Sequence, residues 1–220
     1  MEQDRKRVVM RYIPELTEKD IAENRKYFQE RVTLYKNLGI DFANIRKSIL
    51  KKAGTLERDI LEIGSGNGYT AISLAKQGHK VISIDPDKEA LRKTALNLAY
   101  ERLLGKVELY LMDGKSLKFD DESFQAVVVI NLFHHIEEVD IVLSEIDRVL
   151  RSDGKLIAAD FNKQGMKIIN SVHKNEGRTH EDSGVTKEHI YSYFNKLGYN
   201  ITEPKNRYHW ILIAEKKIRP

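Results

Sequence analysis

Apolar residues along this chain alternate between two rhythms. Residues 60–63, 80–85, 107–112, 124–130 and 155–160 are short runs dominated by Ile, Leu and Val. Runs of this length suit strands buried on both faces of a parallel sheet. Between them the spacing turns helical: over residues 70–76, from near Asp87, in a stretch ending near Arg151 at a Ser-Asp-Gly turn, and from Thr186 to Leu197. Thr186 suits an N-cap and Gly198 a helix stop. Two last strands are expected at 199–203 and 208–215, with Asn206 in the turn between them. Strands alternating with helices in this way predict an α/β, doubly wound, parallel sheet.

Two further helices precede the first strand. Thr17 and Asp20 resemble a capping box, after which Ile21, Phe28, Val32, Tyr35 and Leu38 recur at roughly helical spacing. A second helix over residues 42–52 turns Phe42, Ile45, Ile49 and Leu50 toward the core. Together they predict an amino-terminal helical cap over one edge of the sheet. After Asp160 the pattern lapses for about 25 residues. A short helix fits within residues 161–175, and 176–184 reads as a polar loop.

The first strand runs into Gly64-Ser-Gly-Asn-Gly68 and then into a helix. Glycine lets a backbone turn tightly and approach a ligand, and a helix amino end favours phosphate or nucleotide groups. A dinucleotide fingerprint needs G-x-G-x-x-G, and its third glycine position is Tyr69 here. Glu62 instead opens the pattern E-x-G-x-G-x-G. The second strand ends in Asp85, whose carboxylate can accept from both hydroxyls of a ribose. Pro86 follows, the third strand ends at Met112-Asp113-Gly114, and the fourth runs into Asn131-Leu-Phe-His-His135.

In these motifs and their order the chain resembles the class I S-adenosylmethionine-dependent methyltransferases, over about residues 59–216. Asn131 to His135 look like the post-strand motif of the small-molecule branch, which includes ubiquinone and menaquinone methyltransferases. The resemblance implies a Rossmann-like, doubly wound, mostly parallel seven-stranded sheet, closed by a C-terminal antiparallel hairpin and carrying the N-terminal helical cap. It implies S-adenosylmethionine as cofactor. The positions it assigns to that cofactor are Glu62, Gly64, Ser65, Gly66, Gly68, Asp85, Pro86, Met112, Asp113, Gly114, Asn131 and Leu132. Among these, Asp113 would take the adenine amino group with Met112 against the ring. One domain over residues 1–220 is expected, with 1–55 as cap, 56–220 as core and 161–185 as an acceptor lid.

Displacement at the methyl of a sulfonium chiefly requires alignment and exclusion of water, with a base only where the acceptor must lose a proton. Candidates should lie beyond the carboxyl ends of the fourth and fifth strands. His135, His134 and Asp160 fall there, and imidazole exchanges protons near neutral pH. Residues 173–184 gather two histidines, three acids and an arginine, with His180 as a further candidate. That segment reads as a solvated loop, an acceptor lid or a metal site. No metal-ligand spacing supports the last reading, and no metal is expected. Tyr208, His209 and Trp210 alternate faces, so at most two address a pocket.

Composition narrows the acceptor. The net charge is only +4 from 37 basic and 33 acidic residues, which gives no strong pull toward nucleic acid. No basic-aromatic interleaving marks an RNA-binding surface. The Asn/Asp-Pro-Pro-Tyr clamp used for base and glutamine amines is replaced by Asn131-Leu-Phe-His134. A small-molecule acceptor is therefore expected rather than nucleic acid. The absence of cysteine excludes thiolate chemistry and accords with a cytoplasmic protein, and no apolar run approaches membrane-spanning length. Two other readings stay open: a protein that binds the cofactor or its demethylated product without transfer, and an RNA or protein methyltransferase.

Overall fold

The computed structural model describes residues 11–57, 59–175 and 183–217. Its frame is one sheet formed by β1 (Ile60–Ile63), β2 (Val81–Asp85), β3 (Val107–Leu111), β4 (Phe124–Ile130), β5 (Leu150–Phe161), β6 (Asn200–Thr202) and β7 (His209–Glu215). The spatial order is β3-β2-β1-β4-β5-β7-β6. Strands β1 to β5 pair in parallel, and β7 runs antiparallel to both β5 and β6. The expected sheet with its antiparallel closing pair is thus what forms. Chain order reverses between β1 and β4, which opens a crevice over their carboxyl ends, where ligands of open α/β sheets bind.

The continuous apolar strands are explained by helices on both faces. Ala126, Val127, Val128 and Val129 of β4 are all fully buried, and their alternate side chains join opposite layers. On one face α5 (Val139–Val149) and α7 (Lys187–Lys196) bring Ile146 and Phe194 against Val127 and Val129. On the other, α2 (Phe42–Lys52), α3 (Tyr69–Lys76) and α4 (Lys88–Tyr100) bring Ile49, Leu74 and Leu91 against Ala126 and Val128. Among the described residues no helix is long and apolar enough to cross a membrane.

Helix α1 (Glu18–Asn37) starts where the capping signal places it. Thr17 Oγ1 accepts from Asp20 N at 3.1 Å, and Asp20 Oδ2 accepts from Thr17 N at 3.0 Å. The helix lies along α4, tied by Asn24 Nδ2 donating to Asn97 Oδ1 at 2.8 Å. Its far end meets α6 (Lys163–Asn175) in a separate apolar cluster of Tyr35, Ile40, Ile169, Val172 and Tyr208. Three expectations need adjustment. Leu38 is the C-cap of α1 and 43% exposed, because the chain turns away before the apolar stripe reaches it. Strand β5 starts at Leu150 rather than 155, because pairing begins at Leu150↔Phe124 and resumes at Lys155↔Ala126 across a register shift. The Ser-Asp-Gly turn signal therefore marks an irregularity within the strand. Beyond Asp160 the pattern yields a full helix, α6, whose buried Ile169 and Val172 cluster with Tyr35 and Ile40 of the cap beside Phe161 of β5.

Candidate functional site

Strand β1 delivers the chain at the centre of the crevice, where it must reverse into α3 over a few residues. Gly64 and Gly66 have φ of 85° and 51°, conformations that L side chains adopt at a cost. A Cβ on Gly66 would meet nothing within 4 Å, so the backbone there faces open space. One on Gly68 would press on Thr94 Cγ2 at 3.1 Å, which gives that glycine a packing role between α3 and α4. Asp85, at the end of β2, stitches the turn together. Its Oδ2 accepts from Ser65 Oγ and Gly66 N, both at 3.2 Å, and its Oδ1 from Asp87 N at 2.9 Å. A carboxylate offers about four acceptor directions, so Asp85 keeps capacity for a further donor.

On one side of the turn lies a cleft of about 290 Å³ whose walls include Asp85, Pro86, Met112, Asp113, Gly114 and Leu132. Parallel pairing brings them together. The register Asp85↔Leu111 sets Met112 N 3.1 Å from Asp85 O, and Leu132 leans over Gly64 from the end of β4. Met112, Ile63 and Leu132 supply an apolar slot, with the Asp113 carboxylate exposed at its edge. Flat apolar walls with polar groups at the rim fit an adenosine moiety.

A second cavity, of about 340 Å³, adjoins the first at Gly64 and His135. One face of α1 roofs it through Asn24, Tyr27, Phe28, Arg31 and Tyr35, while Ser65, Gly66, Asn131, His134 and Phe161 form its floor. Within it stands Arg46 of α2, 5% exposed, with Nε and Nη1 lacking any hydrogen-bond partner. Its guanidinium lies 5.1 Å from the Phe42 ring and 5.7 Å from that of Tyr69. Burial lowers its pKa to about 10, against the opposing pull of Tyr69, Glu62 and Asp160, so it stays charged at neutral pH. A buried guanidinium with open donors is costly until an anion meets it. An amino-acid carboxylate at the tail of a group whose adenosine end fills the neighbouring cleft has the charge and position to do so. Sequence reasoning missed Arg46. The signal was a cation at the i+4 position from Phe42, inside the apolar stripe that continues to Ile49 and Leu50.

Glu62 lines neither cavity. It is buried under the glycine turn, where it accepts from Ser83 Oγ. Burial raises its pKa to about 7, opposed by hydrogen bonds from Ser83, Thr70 and the Ala71 backbone and by Arg46. Its position braces the turn from below.

The two adjacent histidines have different surroundings. His134 is 6% exposed, and its Nδ1 lies 2.7 Å from Asp160 Oδ1. Asp160 also accepts from His134 N at 3.1 Å and from Phe161 N at 2.7 Å. These contacts fix the ring's orientation and, with a carboxylate facing Nδ1, favour the tautomer that carries its proton there. His135 is exposed, with its ring centroid 4.0 Å from that of His134. The structure thus joins Asp160 to His134 and sets His135 at the junction of the two cavities. Ser183 docks on the same turn through N to His134 O at 2.9 Å and Oγ to Phe133 O at 3.0 Å. His180 lies outside the described residues, whereas His173 lines the second cavity.

Asn131, with φ of 59° at the end of β4, is held from below. His209 Nε2 is 2.8 Å from its Oδ1. Burial, then Arg46 and His134, depress the His209 pKa to about 3, so the ring is neutral. A neutral imidazole facing an amide oxygen must carry its proton on Nε2, and Nδ1 is left without a partner. His209 was one of three alternating residues in the sequence, which did not say which faced inward.

Comparison with known proteins follows the same lines. Residues 61–158 match the methyltransferase domain family. An uncharacterised methyltransferase of Alkaliphilus oremlandii is 32% identical over 171 residues, covering 71% of this chain and 74% of that protein. The ubiquinone/menaquinone biosynthesis C-methyltransferase of Citrifermentans bemidjiense is 25% identical over 141 residues, covering 62% and 60% respectively. The chain thus spans between about half and three quarters of the curated relatives it matches. In fold it is similar to a SAM-dependent methyltransferase of Aquifex aeolicus, with a TM-score of 0.63 at 18% identity over 78% of this chain and 89% of that one.

Proposed function

Because the chain belongs to the class I S-adenosylmethionine-dependent methyltransferases, we propose that it methylates a small molecule held between α1, α6 and the ends of β4 and β5. The observation that carries this reading is the pairing of two adjoining cavities. One is lined by the adenosine-side residues, and the other by Arg46, whose Nε and Nη1 have no hydrogen-bond partner, and by His134, which Asp160 holds from behind. The volume of the second cavity, about 340 Å³, lies in the small-molecule range.

S-adenosylmethionine bound there would supply a methyl carbon on a sulfonium, a good leaving group, for in-line transfer to the acceptor's lone pair. The chain's residues align the partners and remove water. Arg46 anchors the carboxylate of the donor's amino-acid end, and Asp85 takes a ribose hydroxyl while keeping Gly66 in place. Met112 and Leu132 flank the adenine, and Asp113 accepts from its amino group. His134 receives the acceptor's proton at Nε2, and Asp160 acts as a positioning residue that stabilises the resulting imidazolium. Helix α1 of the cap roofs the acceptor, and α6 forms one wall.

Calorimetric titration with S-adenosylmethionine, S-adenosylhomocysteine and NAD, each separately, tests the premise. Micromolar affinity for the first two with NAD silent is expected. Binding of NAD with silence toward the sulfonium compound would sink the reading.

A further inference from the structure

A third cavity, of about 720 Å³, lies between α1, α2 and α3, and methyl transfer gives it no task. Its size is in the range of small-molecule sites. It follows from how α1 is anchored. The first half of that helix is tied to α4 by Asn24 on Asn97 at 2.8 Å, and to Glu101 beyond it by Arg25 at 3.6 Å. Its far end is held in the cluster that Tyr35 and Ile40 form with α6. Between these anchors the helix spans α2 and α3 without packing down on them. Phe28, Val32, Phe42 and Ile72 therefore stay only half-buried around the gap. Apolar surface left wet between fixed elements favours an apolar ligand, with little reorganisation to oppose it.

A row of rings parts this space from the acceptor cavity. Phe28, Tyr69 and Phe42 line both, and the Tyr69 centroid lies 5.0 Å from that of Phe28 and 5.3 Å from that of Phe42. The shared wall offers aromatic edges and faces to a flat ring system.

The rim supplies the charge. Two carboxylates line it, and both are engaged. Lys36 lies 3.1 Å from Asp41, which also caps α2, and Lys76 lies 2.7 Å from Glu101 on the side opposite no further acid. The remaining charged lining residue is Lys47, exposed on α2 and without an ion pair among the described residues. Helix α2 carries Arg46, Lys47, Lys51 and Lys52 and no acid of its own. With Arg25, Lys36, Lys47 and Lys76 against Asp41 and Glu101, the rim is positive.

We propose that this cavity is a second small-molecule site, for a ligand with a flat apolar body and one carboxylate or comparable anion, the body against the ring row and the anion at Lys47. The site goes beyond methyl transfer and does not depend on it. Titration with 2-naphthoate, 2-naphthol and 2-naphthylmethylamine, on protein saturated with S-adenosylhomocysteine, tests it. Naphthoate should bind saturably and about threefold or more tighter than naphthol, the scale of an exposed ion pair, with the amine weakest. Lys47→Gln should bring naphthoate level with naphthol. Val32 lines this cavity and not the acceptor cavity, so Val32→Trp should fill the site and weaken naphthoate by about tenfold or more.

A melting transition close to the parent's serves as the folding control for both variants. The proposal is overturned if naphthoate does not bind, if naphthol or the amine binds as tightly, or if Lys47→Gln keeps the preference. It is overturned too if folded Val32→Trp binds naphthoate as the parent does, which would put the probe in the acceptor cavity. Should Val32→Trp not fold, the Lys47→Gln comparison decides alone. A parent protein that takes up no S-adenosylhomocysteine would sink the methyl-transfer reading only, and the same titrations without it would still decide this proposal.

Discussion

The adenosine-side cleft takes Asp85, Pro86, Met112, Asp113, Gly114 and Leu132 from just beyond three strands, β2, β3 and β4. The cavity beside it draws Arg31 from α1, Arg46 from α2, His134 from the turn after β4, Phe161 from β5 and His173 from α6. Below it, His209 of β7 sets the Asn131 amide. The first site is therefore a consequence of parallel pairing, which lines up strand ends whatever the helices do. The second exists only once the cap and α6 have packed. They differ in electrostatics too, since the first has a partnered carboxylate at its centre and the second an unpartnered guanidinium. In the proposed reading the adenosine end of the donor is recognised at the edge of the sheet, whereas the donor's carboxylate and the acceptor are recognised by what covers it.

The strongest way to break this comparison is to remove the proposed base. His134→Ala should lower turnover by about 10²–10⁴-fold and leave S-adenosylhomocysteine affinity nearly unchanged, measured with an acceptor found by screening. Asp160→Asn should lose less and shift the pH profile of kcat. Equal loss of cofactor affinity in both variants would show that the two sites are not separable.

Arg46→Met is next in size. Donor affinity should weaken by about 1.5–3 kcal/mol, as for a lost charge-assisted hydrogen bond. The apo Tm should stay level or rise, because a buried unpaired charge has been replaced by an apolar side chain. A fall in Tm with donor affinity intact would make Arg46 a structural residue.

Asp85→Ala should also cost the donor about 1–3 kcal/mol, but with the opposite effect on stability. Ser65 Oγ, Gly66 N and Asp87 N all lose their acceptor, so the Tm should drop. Parallel calorimetry and melting curves on the two variants would sharpen the contrast, and a shared sign in Tm would blur it.

The last variant changes Glu62. Burial holds its carboxyl near 7 against an ordinary 4.5, so across that window the folded protein keeps a proton that the unfolded chain has released. Stability from this group is present below the lower value and is lost as pH rises through the upper one. His209 tilts the other way below its ordinary 6.5, because its depressed pKa makes the unfolded chain the better proton binder. That slope is common to parent and variant. Glu62→Gln should therefore gain on the parent between about pH 5 and pH 8, by roughly 5–10 °C in Tm. A constant difference would place the Glu62 pKa in the ordinary range.

Much of this was legible beforehand for a local reason. A glycine turn needs its residue types at fixed spacing, and strands buried on both faces need unbroken apolar runs, so residues 60–68 and 124–130 announced themselves. Thr17 with Asp20 likewise fixed a helix start through contacts three residues apart. Arg46 and His209 were not legible in the same way, because a lone Arg in an amphipathic helix is more often solvated than buried. The pairing of Asp160 with His134 rather than His135 depends on how β5 ends beside the turn after β4.

By itself, then, the sequence determined the sheet, the glycine turn, the family and the donor, since each rests on backbone conformation and short-range periodicity that neighbouring residues enforce. The tertiary structure alone decided the burial of Arg46, the tautomer of His209 and the partner of His134. Those depend on side chains far apart in the chain, such as Asn131 and His209, whose protonation and orientation are set by burial and by one another.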